Sequence, residues 1–358
     1  MLIGASPRTS NDTLPVWGTD CDDDLVCRGV TDETHDVRSF HFAAERPCLF
    51  RFDAGQFVTL ELPQGPQPVF RCYTIASPPT RPETITITSK RVTSGPVSNW
   101  LHDTVRPGTR LRATGPSGTF VLPRAPDRKL LFLSAGVGVT PLMSMARTLS
   151  DRAEDRDLLF VHSARTPADI VFRDELPLLA RRLPRFRVVH VVERVGNEPG
   201  WPGLCGRLST PMLTLLAPDL LERDVYCCGP APYMAAVRAL LDEAGFDRSR
   251  YHEESFAFDQ PATAEPVPDT VAGFTVSFAK SGASVVCPPG MTILAAAKQA
   301  GLRLPQSCTR GVCGTCKSRM LSGRVDMQHG GGIRPREVEQ GLVLICCSTP
   351  LQDVVIDR

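Results

Sequence analysis

The sequence predicts a multi-domain chain: an antiparallel β-barrel, then an α/β unit on a parallel sheet, then a small α+β module. Three observations carry this. Short strands with turn residues between them crowd residues 24–123. From Lys129 onward, apolar strand runs alternate with helical patterns. A Pro-rich stretch at 259–269 then separates a last block that opens as a hairpin and continues into a short helix. A length of 358 residues suits two or three cores and exceeds one.

Residues 1–22 are polar and broken by Pro and Gly, and read as a loose N-terminal arm. Residues 23–125 form the barrel. Gln56–Leu62 and Thr84–Thr88 alternate with period two, and Val121 and Leu122 close the block before Pro123. Residues 126–258 form the α/β unit. Its strand candidates are Leu130–Leu133, Leu158–His162, Arg187–Val192 and Asp224–Cys228, with helical patterns through Met143, Leu176 and Met234. Ligands of such sheets sit at the carboxyl ends of the strands. Residues 259–270 form a semi-rigid linker. Residues 271–358 form the last module, with strands at Phe274–Phe278 and Ala283–Cys287 and a helix near Ile293–Ala297.

Composition excludes several classes. Hydrophobic residues at 42% and charged residues at 22% rule out wholesale disorder. A net charge of +1 gives no global field for nucleic acid. The uncharged run between Lys129 and Arg147 contains Ser134, Gly136, Gly138 and Pro141, which suit a strand–loop–helix turn and not a membrane span. Met1–Arg8 lacks the pattern of a secretory signal, so a cytoplasmic location is the default. A monomer is the default oligomeric state.

Thirteen cysteines in such a chain point to metal or redox chemistry. Cys308, Cys313 and Cys316 are spaced C-x4-C-x2-C, with Gly311 and Gly314 permitting a tight loop. This resembles the 2Fe–2S loop of plant-type ferredoxins, where a distant fourth Cys completes the set. Cys346 or Cys347 must supply it. In that family the last ligand typically precedes a Pro by four residues, so the resemblance with Pro350 selects Cys346 and implies a β-grasp fold. Cys347 is then expected on the other side of the chain. A structural zinc site would more often pair two short knuckles, and only one such pair is present.

Arg71-Cys72-Tyr73-Thr74 resembles the R-x-Y-[ST] signature of the ferredoxin-NADP reductase superfamily. An Arg can fork onto a phosphate, a Tyr can stack on the isoalloxazine, and the Thr hydroxyl can sit near flavin N5. Gly95-Pro96-Val97-Ser98-Asn99-Trp100-Leu101 resembles the G-x-x-S-x-x-L segment that opens a helix over the flavin diphosphate. Lys90 and Arg91 could add charge. Together these imply FAD in preference to FMN.

Ala135-Gly136-Val137-Gly138-Val139-Thr140-Pro141 resembles the superfamily's A-G-x-G-x-T-P nicotinamide turn. Cys228-Gly229-Pro230 resembles its C-G-P turn and places Cys228 by the nicotinamide. Arg165, after the second strand, could contact a 2′-phosphate, stack on adenine or brace the loop, with NADH the preferred coenzyme over NADPH. Phe256 is the candidate lid over the flavin. Glu253 or Glu254 could assist hydride geometry, with solvated surface glutamates the more common outcome. The resemblance thus assigns catalysis to Thr74, Cys228 and Phe256.

The order of modules resembles NADH oxidoreductases that serve Rieske-type mono-oxygenases acting on betaine-like quaternary ammonium compounds, and also the reductase of the hybrid-cluster protein. Asp32–Val37 and Arg71-Cys72 strengthen that match. Toluene- and benzoate-type reductases put the ferredoxin first and fit less well. The resemblance implies a transformer: hydride from NAD(P)H to FAD, then single electrons through the cluster to a protein acceptor. Residues 271–358 carry ten Lys and Arg against five Asp and Glu. This predicts an acidic docking face on the acceptor, with Arg310 at the cluster rim. A redox sensor would want an effector domain and a flavohaemoprotein a globin segment; neither is recognisable.

Overall fold

The computed structural model describes residues 14–18, 21–63, 69–125, 127–256, 273–302, 304, 309, 311, 314 and 316–358. Cys308, Arg310, Cys313 and the 259–270 linker lie outside the described residues.

Alternating inward apolar residues build the first module. Its six strands run in the order Val69–Thr74, Phe57–Leu62, Arg110–Ser117, Asp22–Thr34, Val37–Ala44, Ile85–Lys90, and every neighbouring pair is antiparallel. The two outer strands meet where Ile75 bridges Ile87 and the Ala76 N–H donates to the Thr86 carbonyl, which turns the sheet into a barrel. Leu25, Phe40, Phe42, Leu60 and Ile87 fill it.

The reading of the arm as loose fails at its end. Val16–Trp17 pairs in parallel with Leu49–Phe50. Trp17 is buried, stacks near Phe50 and donates from Nε1 to the Gly115 carbonyl at 2.8 Å. Burying one indole is worth roughly 2–3 kcal/mol, enough to dock a polar segment.

The second module is a parallel six-stranded sheet in the order Leu204–Cys205, Phe186–Val192, Leu158–Ala164, Leu130–Ala135, Asp224–Cys228, Tyr251–Glu254. Leu130–Ala135 is buried throughout, as a strand covered on both faces must be. The order reverses between it and Asp224–Cys228, so the loops leaving these two strands frame a crevice.

One core spans the barrel and the parallel-sheet module. Val37, Ala54, Ala76 and Phe120 pack with Val139, Leu142 and Met143. The Ser144 hydroxyl donates to the Ser77 carbonyl, and Arg147 donates to the Ala76 carbonyl while pairing with Glu175. This fixes the barrel against the helix Val139–Asp151.

The last module holds a mixed sheet in the order Ala283–Cys287, Phe274–Phe278, Val354–Ile356, Lys317–Ser322, Leu342–Leu344. The first hairpin pairs Phe274 with Cys287, and its inner strand runs parallel to Val354–Ile356. The helix Ile293–Gln299, capped by the Thr292 hydroxyl, packs Ile293 and Ala297 into the core with Phe278 and Ile356.

Candidate active site

Two cavities meet where the barrel faces the parallel sheet. The smaller, about 320 Å³, is lined by Arg71, Cys72, Tyr73, Thr74, Lys90, Gly95, Val97, Ser98, Val137, Thr140 and Phe256. The strand Val69–Thr74 presents its last residues to this space. Thr74 is buried, and its Oγ1 donates to Glu254 Oε2 at 3.4 Å. Burial pushes the Tyr73 phenol well above its ordinary range, so the ring stays neutral. Opposite, the helix Pro96–Thr104 points its N-terminus at the cavity. Ser98 Oγ donates to the Gly95 carbonyl and accepts from the Val92 N–H, both at 3.0 Å, so it braces the phosphate loop. Helix N-terminus, Arg71 and Lys90 suit a diphosphate.

The larger cavity, about 620 Å³, lies at the strand ends. Gly136, Val137, Gly138, Arg165, Gly229 and Pro230 line it. Gly138 is dictated by crowding: a Cβ there would stand 2.3 Å from the Cys228 carbonyl oxygen. Two strand-end loops therefore press backbone on backbone, leaving the concavity above them for a dinucleotide. Lys90, Val137 and Phe256 line both cavities and mark where a nicotinamide and a flavin ring would meet.

Cys228, read as near the nicotinamide, has its backbone against Gly138 at the larger cavity. It is fully buried and lines neither cavity. Burial and the Glu254 carboxylate push its thiol well above the ordinary range. The C-G-P turn contributes the Cys228 carbonyl against Gly138, and Gly229 and Pro230 to the wall. Glu254, read as solvated, is half-buried and paired in register with Cys228. Glu253 is exposed and salt-bridged to Arg238, as read.

Sequence reasoning missed an acidic pair. Asp36 lies 3.0 Å from Lys90 and 3.5 Å from Arg165, and Arg165 donates to Asp169 Oδ1 at 2.5 Å. Burial alone would raise both carboxyls, but Lys90 holds Asp36 low, and Thr166 with Arg165 holds Asp169 low. Glu193 and Arg207, also at the larger cavity, pair at 3.3 Å. Asp36 lies 54 residues from Lys90 and 129 from Arg165, so their pairing is set by the fold and by no local motif.

In the last module Cys316 and Cys346 are buried, and the Gly311 N–H donates to Cys346 Sγ at 3.3 Å. An amide aimed at sulfur favours thiolate, which fits cluster ligation. Gly311 has φ +70°, and a Cβ there would meet Cys347 Sγ at 2.6 Å. Cys347 therefore lies against the same glycine and packs, partly buried, on the core of this module.

Comparison with known proteins matches three family models: an oxidoreductase FAD-binding domain over residues 25–122, an oxidoreductase NAD-binding domain over 132–239 and a 2Fe-2S iron-sulfur cluster binding domain over 277–351. The glycine betaine monooxygenase reductase subunit of Pseudomonas aeruginosa is 47% identical over 92% of this chain and 94% of its own. The chain belongs to this family of oxygenase reductase subunits. The stachydrine N-demethylase reductase subunit of Rhizobium meliloti is 44% identical to the reductase, over 93% of this chain and 96% of its own. Phthalate dioxygenase reductase superposes with a TM-score of 0.58 at 25% identity, covering 94% of the reductase and 98% of that chain. The three-module architecture and the FAD, NAD and 2Fe–2S sites are those of the family. Among the described residues, no helix of the reductase is long and apolar enough to cross a membrane.

Proposed function

We propose that this reductase takes electrons from NADH and delivers them to the oxygenase component of a Rieske-type mono-oxygenase that acts on a betaine-like quaternary ammonium compound. The carrying observation is the near full-length likeness to the betaine and stachydrine reductase subunits. When bound, FAD accepts hydride from NADH and, with the 2Fe–2S cluster, allows electrons to leave one at a time. The chain's own residues hold and orient. Arg71, Lys90 and the Pro96–Thr104 helix N-terminus take the diphosphate. Thr74 presents its hydroxyl to the flavin ring edge, held by Glu254. Phe256 covers the ring until nicotinamide enters and excludes water there. Cys308, Cys313, Cys316 and Cys346 hold the cluster.

NADH is favoured by the charge around Arg165. Its guanidinium already faces Asp169 and Asp36, and Glu193 lines the same cavity. A ribose diol can donate to such carboxylates, whereas a 2′-phosphate would meet them as like charge. The surplus of basic residues in 271–358 supports an acidic docking face on the acceptor.

An anaerobic titration with NADH, then NADPH, followed by absorbance and low-temperature EPR, tests the reading. Flavin bleaching with a reduced 2Fe–2S signal, at lower NADH than NADPH, is expected. Bleaching without the cluster signal would remove the electron-carrier reading. Turnover with the oxygenase should slow with added salt and with Arg310→Glu, and a rate indifferent to both would overturn the acidic docking face.

A further inference from the structure

The segment 329–334 of the last module touches the cluster loop on one side and the flavin barrel on the other. Toward the cluster loop, the Gly330 and Gly332 N–H groups both donate to the Gly311 carbonyl, at 3.1 and 2.8 Å. Gly311 in turn donates its own N–H to Cys346 Sγ. A Cβ on Gly311 would meet His329 Cα at 2.9 Å, and one on Gly314 would meet the Gly332 oxygen at 3.0 Å. The segment is thus a bed on which the cluster loop lies.

Toward the barrel, a Cβ on Gly331 would stand 3.7 Å from Ser117 Cβ and 3.9 Å from the Gly118 nitrogen. Those are ordinary contact distances, and it is the backbone conformation of Gly331, φ +98°, that favours glycine there. Three residues on, Arg334 Nη2 lies 3.2 Å from Asp22 Oδ2, at the first residue of the barrel strand Asp22–Thr34. Arg334 is well buried and also pairs with Glu337 at 2.8 Å, and Glu337 in turn takes Lys317. Asp22 also receives Arg112 of the barrel. Five charges from two modules, with both signs represented, meet at this seam.

The barrel side has a register that matters. Ser117 pairs with Phe57, and Phe57 pairs with Thr74, the residue at the flavin cavity. Two strand spacings, about 10 Å in all, separate the docked glycine's neighbour from the flavin wall.

We propose that residues 329–334 are the intramolecular docking surface of the cluster module, latched to the flavin barrel by the Asp22–Arg334 ion pair, and that Asp22 is a positioning residue for flavin-to-cluster transfer. This deepens the electron-carrier reading and rests on it. Asp22 is partly exposed, so the latch is screened by salt and opens without loss of either fold.

The test uses the full-length holoprotein, with Asp22→Asn and Asp22→Arg, and with Arg112→Gln as the variant that removes the other partner of Asp22. Small-angle scattering and amide hydrogen exchange are recorded from low to high salt. Asp22→Arg is expected to enlarge the particle and speed exchange at 115–118 and 329–334 by about five-fold, as high salt does to the wild type. Arg112→Gln should leave both near wild type. Flavin bleaching by NADH should be unchanged in Asp22→Asn, with cluster reduction slowed. Identical scattering and exchange for wild type and Asp22→Arg at every salt concentration would overturn the latch. If NADH bleaches the flavin yet no cluster signal develops even in the wild type, the carrier reading fails instead.

Discussion

Replacing Gly138 with Ala should separate NADH chemistry from flavin binding. The added Cβ would stand 2.3 Å from the Cys228 oxygen, 2.5 Å from its carbonyl carbon and 2.6 Å from Gly229 Cα. All three are backbone atoms, so no rotamer change relieves the overlap. Ordinary carbon contacts lie near 3.5 Å, so one strand-end loop must retreat by about 1 Å. Overpacking of this kind costs about 1–3 kcal/mol. The retreat widens the floor on which the nicotinamide lies, and a misplacement of about 1 Å is worth about 100-fold in rate. Stopped-flow bleaching of the flavin by NADH should therefore slow by about two orders of magnitude, while the protein purifies with full flavin. Gly136→Ala is the contrast. No protein atom lies within 4 Å of its added Cβ, so the Gly138–Cys228 contact stays undisturbed, and φ +54° should cost about 1 kcal/mol of stability. Wild-type bleaching and stability in Gly138→Ala would refute the claim that loop contact sets the nicotinamide position.

Three further outcomes are expected. Cys346→Ser should lose iron and the 2Fe–2S absorbance, whereas Cys347→Ser should keep both, as iron analysis will show. Asp169→Asn frees Arg165 from its nearest carboxylate, and kcat/KM for NADPH relative to NADH should rise about ten-fold. The buried His162 and half-buried His190 should make stability fall on mild acidification. Burial lowers them to about 3 and about 4, from 6.5 in the unfolded chain. The unfolded state therefore takes up protons first, so stability is full above pH 6.5 and declines as pH falls toward the folded values. Between pH 7.5 and 5.5 the two together should cost about 2–3 kcal/mol in urea unfolding, and His162→Asn should roughly halve that slope.

Much of the fold was legible because its signals are local. Period-two alternation marked barrel strands such as Phe57–Leu62, and the fully apolar Leu130–Leu133 marked a strand covered on both faces. The Gly-Val-Gly turn and the Gly95–Ser98 helix start were legible because phosphate-binding backbone needs small residues and a free helix N-terminus. The end of the arm was misread because Pro15 and Gly18 flank Val16–Trp17, and the burial of Trp17 depends on a groove by Phe50 and Gly115 that no local pattern records. For Cys228 the motif fixed the position along the chain and left open whether its side chain or its backbone faces the cavity.

By itself the sequence determined the three modules, their order, and which cofactor each is built to hold, because ligand spacing and strand–loop–helix punctuation are properties of contiguous chain. Tertiary structure alone decided how those sites face one another. It closed Gly138 onto Cys228 and joined Asp36 to Lys90 and Arg165 across the cavity mouth. It turned Glu254 from a solvated residue into a partner of Thr74, and set Arg334 against Asp22. Each of these depends on groups about 50 to more than 300 residues apart. Their interaction comes from burial and charge at distances of a few ångströms, which only the folded chain creates.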